Sequence, residues 1–128
     1  MSAMSNFLEN EILDHILRNS AYTPPSTVYI GLSTGSFGDD NSGTELSGNG
    51  YARQSIAFDA ASGGVSDNTN NIDFPAATGN QGTISHFGLF DASSGGNLLI
   101  HGAFSASKAV TTGDILRIAA GELDITAA

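Results

Sequence analysis

Between Thr83 and Phe104 the chain reads TISHFGLFDASSGGNLLIHGAF, two apolar arms on either side of Ala92-Ser93-Ser94-Gly95-Gly96. Small residues, two of them glycines that accept positive φ, supply the reversal, and the arms carry the aromatic and branched side chains that favour strands. The segment therefore predicts a β-hairpin with strands over Thr83–Asp91 and Leu98–Phe104. Rich in Phe, Leu and Ile and without a convergent set of nucleophiles or acids, such a hairpin is built to be packed upon. Holding a shape and touching neighbours is the work it predicts.

The remaining punctuation extends the same reading. Ser2 to Ser5 are expected as a disordered lead. Asn6 then caps a helix from Phe7 to about Arg18, with Glu9 reaching back in a capping box. Leu8, Ile12, Leu13, Ile16 and Leu17 recur at helical spacing on one face, while Glu9 and Glu11 near the start and Arg18 near the end suit the helix dipole. Pro24-Pro25 bars helix beyond that point. Thr27–Ser33 alternates Val28, Ile30 and Leu32 against Tyr29, Gly31 and Ser33, a half-buried strand. Tyr51–Phe58, Ile72–Phe74, Ile115–Ile118 and Leu123–Thr126 are the other predicted strands. The glycine-rich stretch Gly35–Gly50 and polar Ala60–Asn71 are expected as exposed loops. Seven or eight short strands at this spacing define a mainly β chain, an antiparallel β-sandwich or jelly-roll-like barrel with one N-terminal amphipathic helix. Residues 1–128 form one domain, long enough to bury roughly two-thirds of the unfolded surface.

Charge and cysteine content narrow the function. Thirteen acidic against four basic residues give a net charge of −9, a field that repels nucleic acid and anionic membranes, so neither is an expected partner. Only 13% of residues are charged, fewer than a soluble monomer generally carries, and the polar surface falls instead to Ser, Thr, Asn and Gly. No Cys is present, so there is no disulfide framework and no thiolate metal site, as suits synthesis and assembly in a reducing host cytoplasm. No segment approaches the roughly 18 apolar residues of a membrane span, and the start lacks the pattern of a signal peptide.

Several short segments in fixed order point further. Phe87-Gly88-Leu89-Phe90-Asp91-Ala92, Gly96-Asn97-Leu98-Leu99 and Gly102-Ala103 lie in the hairpin. Asn6-Phe7-Leu8-Glu9-Asn10, Thr27-Val28-Tyr29-Ile30-Gly31-Leu32 and Gly50-Tyr51-Ala52-Arg53-Gln54 precede it, and Lys108, Val110, Gly113-Asp114 and Ala120-Gly121-Glu122-Leu123 follow. Together they resemble a family of small tailed-bacteriophage virion structural proteins, labelled tail-fibre-like or capsid decoration proteins. The resemblance covers most of the chain and implies a virion component.

Candidate chemistry is sparse. Gly31-Leu32-Ser33-Thr34-Gly35 matches the G-x-S-x-G of a nucleophile elbow, but no helix is predicted after it, so Ser33 and Gly35 are read as the end of a strand. Asp39, Asn41 and Glu45 flank Gly43 at alternate positions without the full pattern of a Ca²⁺ loop, and turn formation accounts for them as it does for Asp67, Asn70 and Asp73. His15, His86 and His101 lack metal-ligand spacing. Hairpin symmetry would set His86 opposite His101 as a cross-strand polar pair. No cofactor and no catalytic residue is expected. Arg18, Arg53, Lys108 and Arg117 should each meet an acid, and Arg53 beside Tyr51 has the composition of an interface anchor. Phe7 and Leu8 on the helix complete the candidate interface, the helix either covering the sheet or docking on a neighbour.

The leading expectation is a capsid decoration (cement) protein on the outer head surface, a homotrimer bridging copies of the major capsid protein through many modest contacts. The alternative is a tail or tail-fibre component, with other tail proteins or a host receptor as its partners. A hydrolase or a Ca²⁺-dependent sugar binder ranks last.

Overall fold

A computed structural model describes residues 2–127. In chain order its elements are β1 (Ser2–Met4), α1 (Asn6–Leu17), β2 (Val28–Ser33), β3 (Gln54–Ile56), β4 (Val65–Asp67), β5 (Ile72–Asp73), β6 (Gly82–Phe90), β7 (Leu98–Val110), β8 (Arg117–Ile118) and β9 (Asp124–Thr126). The main sheet has the order β1-β7-β6-β2-β3, with every neighbour antiparallel. Two short ribbons, β4-β9 and β5-β8, form the second layer. The architecture is sandwich-like, and the sheet stays open, with β1 and β3 at its edges, so no barrel closes.

Alternation along the strands builds the core. Ile30 and Leu32 of β2 and Phe87 and Leu89 of β6 point to one face, where they meet Ile72, Phe74, Leu116, Ile118 and Leu123 of the second layer in one buried cluster. The opposite face has its own small cluster of Phe37, Phe90 and Leu98, with Phe37 edge-on to Phe90 at 5.6 Å. Gly31 and Gly88 stand directly opposite each other on this second face. A Cβ on Gly31 would lie 2.8 Å from Glu45 Oε2, and one on Gly88 would lie 2.9 Å from Leu98 Cδ1. The glycine pair thus opens the space that the 35–53 segment fills.

Several expectations need correction. Ser2–Met4 are not a disordered lead: they pair as β1 with Ile100–Gly102, because β7 offers an edge that no local pattern in Ser2–Met4 could announce. The helix cap is Ser5, not Asn6, and moving the cap one residue back removes Glu9 from the capping-box position. The 35–50 segment is a largely exposed loop as expected, but it is anchored, since Phe37 is buried and Leu46 lies against the main core. The predicted strand Tyr51–Phe58 shortens to Gln54–Ile56, because the residues before it serve side-chain contacts described below. Ala60–Asn71 contains β4, and its Asn68 is buried with both ends of the amide used. Nδ2 donates to the Asn70 and Ala119 carbonyls, and Oδ1 accepts from Leu123 N–H. The second hairpin arm runs on to Val110, with a wide bulge in which Phe104–Ser107 stand opposite Ser85. Ile115–Ile118 shrinks to two strand residues and leaves Ile115 exposed.

Candidate functional site

Among the described residues the side chain with the most hydrogen bonds is Arg53. Its Nε donates to Glu45 Oε2 at 2.8 Å and its Nη2 to Glu45 Oε1 at 2.7 Å, a bidentate pair. Nη1 donates to the carbonyls of Ala92 and Gly95 at 2.8 and 2.9 Å, tying the cluster to the hairpin turn. The guanidinium carbon sits 3.6 Å from the centre of the Phe90 ring, and only 7% of the side chain is exposed. Tyr51 joins from the same segment: its hydroxyl donates to Glu45 Oε2 and accepts from the Leu32 N–H. That last bond matters to the sheet. β3 pairs with β2 only as far as Ile30, and beyond it the Leu32 N–H is taken by Tyr51 and the Leu32 carbonyl by Leu46 N–H. Burial and the bond to Glu45 push the Tyr51 hydroxyl far above its ordinary range. Tyr51 and Arg53, expected as interface anchors, are placed in a network whose partners all belong to this chain.

The helix is the reverse case. Ser5 Oγ accepts from Leu8 N–H at 3.1 Å and donates to the Leu98 carbonyl, while Ser5 N–H donates to the Leu99 carbonyl, so the helix start is stitched to the hairpin. Phe7 meets Tyr22 edge-on at 6.3 Å. Past this root the following segment turns back along one side of α1, where Tyr22 N–H donates to His15 Nδ1, and the apolar face stays open. None of its residues is buried, and exposure rises along the predicted apolar face from 37% at Ile12 through 54% at Leu13 to 69% at Ile16 and 74% at Leu17. Asn19, at φ 54°, ends the helix in the left-handed region. At its root lies an open apolar hollow of about 210 Å³, walled by Leu8, Val28, Phe58, Leu99, Ile100 and Ile125, in which Ser66 is the one polar lining residue.

The other sequence candidates are scattered. Ser33 is buried, its Oγ donating to the Thr44 carbonyl at 2.6 Å and accepting from Gly35 N–H at 3.1 Å. The Gly-flanked Ser33 thus closes a turn. His86 does not face His101. The turn sets Phe90 opposite Leu98, one residue off the symmetric register, and the extra Leu99 adds one more, so that His86 pairs with Ala103 and His101 with Gly88. His101 Nε2 instead lies 2.7 Å from Asp39 Oδ1, and His86 Nδ1 lies 2.7 Å from Ser85 Oγ. Asp39, Asn41 and Glu45 diverge, with Asp39 on His101, Glu45 on Arg53 and Asn41 at φ 57° in its turn. Asp73 forms a bidentate pair with Arg117 across β5-β8 at 2.6 and 2.9 Å, and Arg18 lies 3.5 Å from Asp14. Among the described residues Lys108 has no carboxylate within ion-pair distance.

The chain matches the family of the podophage GP4 fiber I protein gp80 over residues 3–126. It belongs to that family. No curated protein matches the chain in sequence. The match to the fiber I family takes in α1, the arginine cluster and both layers of the sandwich, and it makes the protein a bacteriophage virion component of structural, fibre-like type. Sequence reasoning missed Ser5, Asn68 and the apolar hollow. Ser5 carried a usable signal, since a serine one residue upstream of the expected cap is as good a cap. Asn68 and the hollow carried none, because each depends on segments more than 50 residues apart.

Proposed function

We propose that the protein is a structural subunit of a podophage tail fibre, acting through assembly contacts and not through catalysis. The observation that carries this reading is the match to the fiber I family over nearly the whole chain. It favours the tail over the outer head surface, which composition and size had put first. The rigid sandwich, with its one reactive-looking serine buried and hydrogen-bonded, supports a mechanical role. Other tail proteins and further copies of this chain are the partners this reading calls for. No helix of the described residues is long and apolar enough to cross a membrane.

Localisation tests the reading. Cryo-electron microscopy of the intact particle, with the chain labelled by antibody, is expected to show a small number of copies confined to the tail. Hundreds of copies on the head surface would restore the decoration role.

A further inference from the structure

We infer that the cavity beside the β7 bulge is a binding site for a neutral sugar ring. Such a site goes beyond assembly, and it holds wherever on the particle the chain sits. The cavity measures about 340 Å³ and is walled by β6 and β7 on one side and by β8 and the 122–124 segment on the other. Its floor belongs to the core, since the buried Ile84, Phe87, Leu116, Ile118 and Leu123 all line it. The half-buried Phe104, tilted against Phe87 with ring centres 5.4 Å apart, adds an aromatic wall. An apolar cavity of about 150 Å³ admits benzene, so this volume has room for about two six-membered rings.

The bulge brings polar groups to that floor. Lys108 pairs directly with the fully buried Ile84, and antiparallel partners share a face, so β7 carries its lysine onto the core side of the sheet. Phe104, Ser105 and Ala106 of the bulge line the same cavity, in keeping with the use of bulges to re-aim side chains at sites. Across from them stand Arg117, Glu122 and Asp124.

These charges choose the ligand. Arg117 is already balanced by Asp73, and Glu122 Oε2 accepts from Ala119 N–H. Lys108 shares the cavity with two carboxylates, yet among the described residues none comes within ion-pair distance of it. Opposite charges held too far apart to bond are bridged by a group that donates to one and accepts from the other, as a hydroxyl does. An anion would meet Glu122, Asp124 and the field of a −9 chain, and a cation would meet Lys108 and Arg117. A wholly apolar guest would strip water from the charged rim and return nothing. A sugar ring matches floor and rim together, with C–H groups for Phe104 and Phe87 and hydroxyls for Lys108, Glu122 and Asp124.

NMR titration of nitrogen-labelled protein tests the site. The probes are glucose, galactose, N-acetylglucosamine and their methyl glycosides, with glucuronate and indole as controls. Neutral sugars are expected to shift residues 104–108, 116–118 and 122–124 with millimolar affinity, and both controls to bind more weakly. Lys108→Ala and Asp124→Ala change exposed positions and should keep the folded spectrum. Each should weaken sugar binding at least about tenfold, as loss of one hydrogen bond to a charged group does. Methyl glycosides that bind as well as the free sugars make the ligand a residue of a glycan, and binding of the free sugars alone makes it a free sugar. No shift at these positions in tenth-molar sugar, tighter binding of glucuronate or indole, or folded variants that bind as the parent does would each overturn the site.

Discussion

The arginine cluster and the helix differ in how far their own chain satisfies them. Arg53 lies against the Phe90 ring and Tyr51 stacks on Phe74, and both side chains have their hydrogen bonds met inside the chain. Ile12, Leu13, Ile16 and Leu17, a face free by its sequence either to cover the sheet or to dock on a neighbour, are exposed. A polar side chain can be buried when a carboxylate and two carbonyls converge on it, and an apolar face can be left open when the sheet beside it is already covered. The contrast separates the part of the molecule that holds itself together from the part left over for something else.

The largest expected effect is at the cluster. Arg53→Ala leaves Glu45 with only the Tyr51 hydroxyl as donor and the Ala92 and Gly95 carbonyls with none from this side chain, and breaking a buried pair from one side costs about 3–5 kcal/mol, to be read from chemical denaturation. A loss under 1 kcal/mol would mean the cluster is a surface pair and the comparison is false. Gly88→Ala should cost about 1–3 kcal/mol by pushing Leu98 and Phe90 away from their present contacts. Ser5→Ala should cost about 1–2 kcal/mol, with loss of amide protection in the first turn of α1. Ile16→Gln/Leu17→Gln should change the stability of the folded monomer by no more than about 0.5 kcal/mol. A larger drop would show that the stripe packs within its own chain.

Mild acid sharpens the comparison least. Hydrogen bonds hold the carboxyls of Asp73 and Asp114 below the usual range, from Arg117 in the first case and from the backbone and hydroxyl of Thr111 in the second. A lowered folded pKa stabilises above the unfolded value, and the gain disappears as pH falls through the folded one. The thermal midpoint should therefore decline gently below about pH 4, and Asp114→Asn should flatten that decline. Tyr51 carries the opposite sign. Its raised pKa stabilises below about pH 10, and the gain is lost as alkali ionises the buried hydroxyl, an effect absent in Tyr51→Phe.

Much of this was legible from residue order. The hairpin, the helix and β2 were readable because their signals are local: a glycine-rich reversal, a 3.6-residue period and a two-residue period. Fibre-like family membership was readable from short segments in order, and the match over residues 3–126 agrees with it. The His86–His101 pairing was not readable, because the turn closes with Phe90 opposite Leu98, one residue off the symmetric register, and the extra Leu99 moves every later pairing by one more. Nor was the partner of Arg53, since Glu45 and the Ala92 and Gly95 carbonyls reach it from two separate loops.

Sequence by itself determined a mainly β fold with one amphipathic helix, an acidic uncluttered surface and a hairpin made to be packed upon. Those properties follow from periodicity and composition, which act over a few residues. Tertiary structure alone decided which apolar face was buried and which polar group was enclosed. The sheet has two faces and a limited area. Once the ribbons β5-β8 and β4-β9 took one face and the 35–53 segment the other, α1 kept its root and lost its cover. Burial is a competition among all segments for the same surface, and no segment carries the outcome in its own residues.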